Sequence, residues 1–238
     1  MGINFVAGTQ NAIVAPHNNA FDLFGNWALS VWVKGDATSW NGYMTLLWAH
    51  YTAGYSGFQS GFQSGGNRTV NYNLGGGNAY TFNLTSANAP TIGDNSGKYR
   101  HLLQIAVSPT TMEAYVDGEF AQSTNIGSTA MDAVNASVYM GDWSAINPGN
   151  GYPSRTMHGC LDDFRVYSNT SYDPAWFAKA LFESRGNDNL TDGLVWRPNF
   201  KGGTKGNVPT VIADLSLSQT DVNSIINTPT WDDSPINN

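Results

Sequence analysis

The feature that most constrains this chain is an alternation of apolar and polar residues with period two, broken every few residues by glycine, asparagine or proline. Val70, Tyr72 and Leu74 alternate with Thr69, Asn71 and Asn73; beyond Gly75-Gly76-Gly77-Asn78 the pattern resumes with Tyr80, Phe82 and Leu84 against Thr81, Asn83 and Thr85. Successive side chains of a strand point to opposite faces, so each run buries one face and wets the other, and the pair reads as a hairpin. Leu103, Ile105 and Val107 form the next stripe. A turn at Ser108-Pro109-Thr110-Thr111 leads to Met112, Ala114 and Val116, and Asp117-Gly118 is a tight-turn pair before Glu119 and Phe120. Segments 28–34, 44–51, 137–141 and 161–167 are predicted as further strands.

Two segments depart from this pattern. Asp173 and Pro174, followed by Trp176, Phe177, Ala180 and Leu181 at helical spacing and then Gly186, predict one short helix near 173–185, with an N-cap, a proline in its first turn and a stop. Residues 55–66 repeat Ser-Gly-Phe-Gln; this glycine-rich stretch is expected to form a mobile loop or hairpin, with a ligand-facing rim as the sharper alternative.

Composition agrees with an all-β reading and removes several functions. Charged residues make up 12% of the chain, about half the usual ~25%, while glycine, asparagine and aromatics suit short strands joined by many turns. At 238 residues, a single domain over 1–238 can bury a sizeable core. The net charge of −7 with only 11 basic residues leaves no cationic surface for nucleic acid or an anionic membrane. No apolar run reaches the roughly 18 residues of a membrane span, and residues 1–6 lack the pattern of a signal peptide, so a chain made without an export leader is expected. The single cysteine, Cys160, excludes an internal disulfide and is expected to be a buried small residue.

Four of the predicted strands, in three motifs, carry a family resemblance. Tyr99-Arg-His-Leu-Leu-Gln-Ile-Ala-Val-Ser108, continuing to Ala114-Tyr-Val-Asp-Gly118, resembles the paired central strands of concanavalin A-like and laminin G-like domains. Gly159-Cys-Leu-Asp-Asp-Phe-Arg-Val-Tyr167 and Ala28-Leu-Ser-Val-Trp-Val-Lys34 are similar to two further strands of that family, in the family's order. The resemblance implies a two-sheet antiparallel jelly-roll sandwich. The ends look displaced: Gly193-Leu-Val-Trp-Arg-Pro-Asn-Phe200, Ala213-Asp-Leu-Ser216 and Thr228-Pro-Thr-Trp231 resemble the segment with which family domains open. A circular permutation is therefore expected, with residues 193–231 supplying those opening strands beside the N-terminal ones. Strand exchange with a neighbouring copy is the rival.

The family fold also hosts glycosidases and lyases, so chemistry has to be sought in residues. A retaining glycosidase needs two carboxyl groups about 5 Å apart. The chain has only Glu113, Glu119 and Glu183, and Glu113, Asp117 and Glu119 have the wrong spacing and cross a turn. No Gly-x-Ser-x-Gly elbow or His-Glu-x-x-His motif occurs, and His17, His50, His101 and His158 are scattered. The resemblance implies at most a structural calcium ion at Asp214 with Asp162 or Asp163; the plainer reading has those aspartates bonding strand or loop amides. No cofactor is required.

Sugars stack C–H faces on aromatic rings and hydrogen-bond to short polar side chains. In 141–155 that combination points to Asp142, Trp143, Asn147, Tyr152 and Arg155, and a second cluster holds Trp40, Asn41 and Tyr43. Aromatic residues suit protein interfaces equally well. Jelly-roll modules of this kind resemble bacteriophage head-decoration and fibre-associated proteins. That resemblance implies a non-catalytic virion-surface protein, assembled as a homo-oligomer or on capsid proteins and attaching to cell-surface glycan. A secreted carbohydrate-binding or adhesion module is the alternative, and a polysaccharide-degrading enzyme the third.

Overall fold

The computed structural model describes residues 2–6, 12–35, 45–51, 57–63, 69–74, 79–83, 92, 97–131, 133–142, 157–198, 200, 224–226 and 230–232. Within them the strands are β1 Gly2–Phe5, β2 Ala12–Ala15, β3 Ala28–Gly35, β4 Thr45–Tyr51, β5 Gly57–Gln63, β6 Thr69–Leu74, β7 Ala79–Asn83, β8 Arg100–Ala106, β9 Thr111–Val116 and β10 Glu119–Asn125. They continue with β11 Val138–Met140, β12 Gly159–Tyr167, β13 Leu194–Trp196, β14 Ser224–Ile226 and β15 Thr230–Asp232, and one helix, α1 Pro174–Ser184, lies between β12 and β13. The strands form two antiparallel sheets. One runs β10-β9-β8-β3-β12-β1-β15 with β13 beside β12, and the other runs β14-β2-β11-β4-β5-β6-β7. The last strands return inside their own chain: β14 pairs with β2, and β15 pairs with β1.

The alternation in the sequence becomes the division between inside and outside. Leu102, Ala106, Met112, Ala114 and Val116 from the first sheet meet Ile13, Phe58, Phe62, Val138 and Met140 from the second in one buried cluster. Ser60 Oγ donates across the gap to Gln104 Oε1 at 3.1 Å, while Gln104 Nε2 stays buried without a hydrogen-bond partner among the described residues. Asp117 (φ 52°) and Gly118 (φ 83°) form the two-residue connection that sets Glu119 opposite Val116. Two positive φ values in succession match the right-handed twist of the flanking strands.

Of the loop or hairpin expected for the Ser-Gly-Phe-Gln repeat, the structure has the hairpin: the repeat lies on a strand. Its residues 57–63 are β5, which pairs on one side with β4 and on the other with β6. A four-residue repeat is also an even repeat, so Phe58 and Phe62 fall on one face of a pleated strand and are both buried in the core. Burying a phenylalanine contributes on the order of 1.5–3 kcal/mol, enough to override a weak local preference.

Helix α1 begins as its sequence predicts: Asp173 accepts a hydrogen bond from the Trp176 amide at 2.9 Å, and Pro174 occupies the first turn. It packs on the outer face of the first sheet. Phe177, Ala178 and Leu181 close over Leu103, Ile105 and Tyr167 to make a second apolar cluster.

Beside this cluster the sheet holds a buried ionic lock. A register shift between Asp162 and Arg165 inserts an extra residue into β12, and Asp163 there takes a left-handed φ of 43°. Arg165, 0% exposed, lies between two carboxylates. Its Nη2 donates to Asp163 Oδ2 at 2.6 Å and to Asp188 Oδ2 at 2.9 Å, and its Nη1 donates to Asp188 Oδ1 at 2.6 Å. Arg197 Nε donates to Asp163 Oδ1 at 2.9 Å, which balances two positive with two negative charges. Burial favours the neutral form of Asp188, but hydrogen bonds and charge from Arg165 outweigh it and hold the carboxyl at about 2. A folded-state value below the ordinary one stabilises the fold fully above about pH 4, and that contribution is lost as the pH falls towards 2.

Replacing Arg165 by methionine leaves two buried carboxylates facing each other, so urea denaturation should show a loss of about 3–5 kcal/mol. Lys179→Ala removes only an exposed pair with Glu183 at 3.8 Å, and the same measurement should register about 0.5 kcal/mol or less.

Candidate functional site

Strand registers decide which connections share an end of the sandwich. Gly159 pairs with both Phe5 and Gly35, so β12 begins where β1 and β3 finish. Thr45 pairs with Phe62, and Met140 with Trp48, which puts the start of β4 and the finish of β11 at that same end, here called the rim. The strand ends flanking residues 36–44 and 143–156 therefore all meet at the rim, although nearly a hundred residues separate the two segments.

Trp40 and Tyr43 belong to the first segment, and Trp143, Asn147, Tyr152 and Arg155 to the second. All six lie outside the described residues. Asp142 is described and is fully buried, engaged within the protein at the foot of its connection, so it is not a solvent-facing ligand contact. The foot is tightly built. A Cβ on Gly141 would sit 2.1 Å from Phe5 Cε1, and the Met157 amide donates to the Gly141 carbonyl at 2.6 Å, closing the neck of the second segment.

Of the aspartates expected at a calcium ion, Asp162 uses Oδ1 to accept the Asp163 amide at 2.8 Å. Asp163 turns both oxygens to the guanidinium groups of Arg165 and Arg197, where positive charge is already supplied. Burial raises the Asp163 carboxyl, and Arg165 with Arg197 pull it back below the ordinary carboxylate range. Asp214 lies outside the described residues. No cluster of three histidine, cysteine or acidic side chains able to hold a metal ion occurs among the described residues.

The described groups with catalytic potential are dispersed. Tyr115 donates its hydroxyl to Glu113 at 2.5 Å, Glu119 is exposed at the start of β10, and Glu183 pairs with Lys179 on α1. Ser30 Oγ and His101 Nε2 lie 2.9 Å apart, a serine–histidine pair, but each residue is only 1% exposed and no substrate can reach it. Burial depresses the His101 imidazole to about 3; Asp163 raises it and Arg165 lowers it by smaller amounts. Cys160 is buried, with its Sγ 3.3 Å from Asn4 Oδ1.

The end opposite the rim carries a pocket of about 310 Å³ whose walls come from 23–26, 108–109 and 128–131. Sequence reasoning missed it because three distant connections build it. The one local signal was Phe24, which stands outside every apolar stripe and is 63% exposed.

A family model of laminin G type, describing the concanavalin A-like lectin/glucanases superfamily, matches residues 7–172. The chain belongs to this superfamily. Solved structures with the same fold include a candidate carbohydrate-binding protein from Bacteroides ovatus ATCC 8483, with 16% identity and a TM-score of 0.61 over 96% of this chain. The binding domain of Paraclostridial Mosquitocidal Protein 1 shares 15% identity over 90% of this chain with a TM-score of 0.53. Domain 4 of AbnA, an extracellular arabinanase from Geobacillus stearothermophilus solved with arabinotriose, shares 18% identity over 74% of each chain with a TM-score of 0.51. This chain spans 60% of the Bacteroides structure and 52% of the mosquitocidal one. A search of the curated proteins finds no match.

His101 supplies a pH test of its sealed environment. Its value of about 3 in the folded chain lies below the unfolded ~6.5, so its stabilisation is complete above about pH 6.5 and declines as the pH falls towards 3. Stability measured by urea denaturation should lose on the order of 1.4 kcal/mol per pH unit in that window, and His101→Gln should flatten the slope.

Proposed function

We propose that this chain is a non-catalytic carbohydrate-binding module whose glycan site is formed at the rim by the segments carrying Trp40, Tyr43, Trp143, Asn147, Tyr152 and Arg155. One observation carries this reading: strand pairing anchors these two aromatic- and amide-bearing segments to one end of a rigid sandwich. Trp and Tyr faces stack on sugar C–H surfaces, while Asn and Arg hydrogen-bond hydroxyls. Membership of a superfamily that contains lectins supports the same chemistry.

The setting is a finer proposal. On a virion surface, the module would attach the particle to a cell-surface glycan, with copies of itself or capsid proteins holding it in place; in a secreted protein, it would anchor its neighbours to polysaccharide. Both settings use one rim.

A glycan array probed with the purified chain should return a restricted set of glycans, and Trp143→Ala should weaken the best of them about tenfold, roughly 1.4 kcal/mol. An array silent for every glycan, together with a discrete multimer in light scattering, would sink the sugar reading in favour of assembly alone.

A further inference from the structure

We infer that the pocket opposite the rim is a second, independent binding site, and that it takes a single uncharged sugar ring. The inference goes beyond the rim site and rests on different residues.

The pocket is a preformed structure. Thr129 ties its back wall together: its amide donates to the Pro109 carbonyl at 2.8 Å, its Oγ1 donates to the Ser108 carbonyl at 2.9 Å, and its own carbonyl accepts from the fully buried Trp27 indole at 2.8 Å. The front wall is clamped to the segment that follows β12. The Phe24 amide donates to Ser168 Oγ at 3.1 Å, the Phe24 carbonyl accepts from the Asn169 amide at 2.9 Å, and the Asn26 carbonyl accepts from the Thr170 amide at 3.0 Å. Phe24 is thus held by its backbone on both sides while its ring stays 63% exposed. A rigid aromatic ring at the mouth of a preformed pocket loses little conformational freedom when a ligand arrives.

The lining defines the ligand class. None of the ten described lining residues is Asp, Glu, Lys, Arg or His, so nothing there would compensate a charged ligand that lost its water. Leu23, Phe24, Pro109, Ala130 and Met131 offer apolar contact. Among them stand three polar side chains with capacity to spare. Ser108 Oγ and Ser128 Oγ each accept one amide hydrogen within their own turn, from Thr110 and Ala130, leaving their hydroxyl hydrogens to donate. The Asn26 carboxamide has no partner among the described residues. An apolar face opposed by hydroxyl and amide groups, without charge, is the complement of a neutral sugar ring, which has a C–H face and a hydroxylated edge. The volume of about 310 Å³ lies at the small end of the roughly 300–1,000 Å³ seen for ligand pockets, which favours one ring over a long chain.

Methionine methyl NMR tests this directly, because Met131 lines the pocket while Met140 and Met157 lie near the rim. With the full chain labelled at methionine methyls, and the Met131 signal assigned through Met131→Leu, the methyl glycosides of glucose, galactose and mannose are titrated to about 50 mM. At least one should move the Met131 signal saturably. Phe24→Ala should weaken that response about tenfold without changing Tm, since its exposed ring adds little to the core, and Trp143→Ala should leave it intact. A Met131 signal that stays fixed with all three glycosides overturns the inference, as does undiminished binding by Phe24→Ala. Movement of Met140 or Met157 alone would place sugar at the rim and none in this pocket, so the two sites fail separately.

Discussion

The outer face of the first sheet depends on keeping a guanidinium out of water. Arg165 has no exposed surface, and an isolated cation in that position would be costly by many kilocalories per mole. The chain solves this with a bulge. The extra residue in β12 brings Asp163 beside Arg165, two positions away, and the turn after α1 brings Asp188 from the opposite side. Ser184, at the end of α1, donates to Asp188, and Tyr167 donates to the Leu190 carbonyl. One set of charges thereby fixes the end of the helix, the turn beyond it and the middle of a central strand. The apolar cluster under α1 supplies the attraction; the lock sets its register.

That arrangement also takes one catalytic-looking pair out of reach of solvent. Ser30 and His101 lie at hydrogen-bonding distance as a nucleophile and base would, yet the helix layer that requires the ionic lock also seals them from solvent. Asp162 and Asp163 look like metal ligands in one dimension, whereas in three they serve an amide and two guanidinium groups. The charge on Asp163 is consumed within the scaffold by Arg165 and Arg197.

Local rules made the strands and helix readable from sequence. The stripes at Leu103, Ile105 and Val107 and at Met112, Ala114 and Val116, like the Asp173-Pro174 start, involve residues within a few positions of each other, and the structure keeps them as strands and helix. For β5 the glycine content leaves loop and hairpin both open, because the even spacing of Phe58 and Phe62 that makes it a strand has value only once a facing sheet exists to bury them. The partners of Arg165 could not be read at all: Asp188 is twenty-three residues away, beyond a helix, and the αL residue that aims Asp163 is a property of register. The candidate ligand residues stand out by type, and the common end of the strands that flank their segments follows only from strand pairing. The opposite pocket is further still from legibility, since serine, proline and alanine in turns look alike whether or not they line a cavity.

A sandwich with binding surfaces at both ends has a physical consequence that a single-ended one lacks. The two ends are joined by strands whose core side chains are almost completely buried and whose facing sheets are tied by the Ser60–Gln104 hydrogen bond. Such an interior resists small displacements, so occupation of one end has no soft path by which to alter the other. Coupling between sites requires an element with two arrangements that both ligands bias, and the described strands, bulge and ionic lock offer one arrangement. Two ends would therefore act through geometry: one molecule could hold two sugar chains at a fixed separation along the strand axis. Avidity would then depend on how ligands are spaced in the partner, and not on any change of shape in this protein.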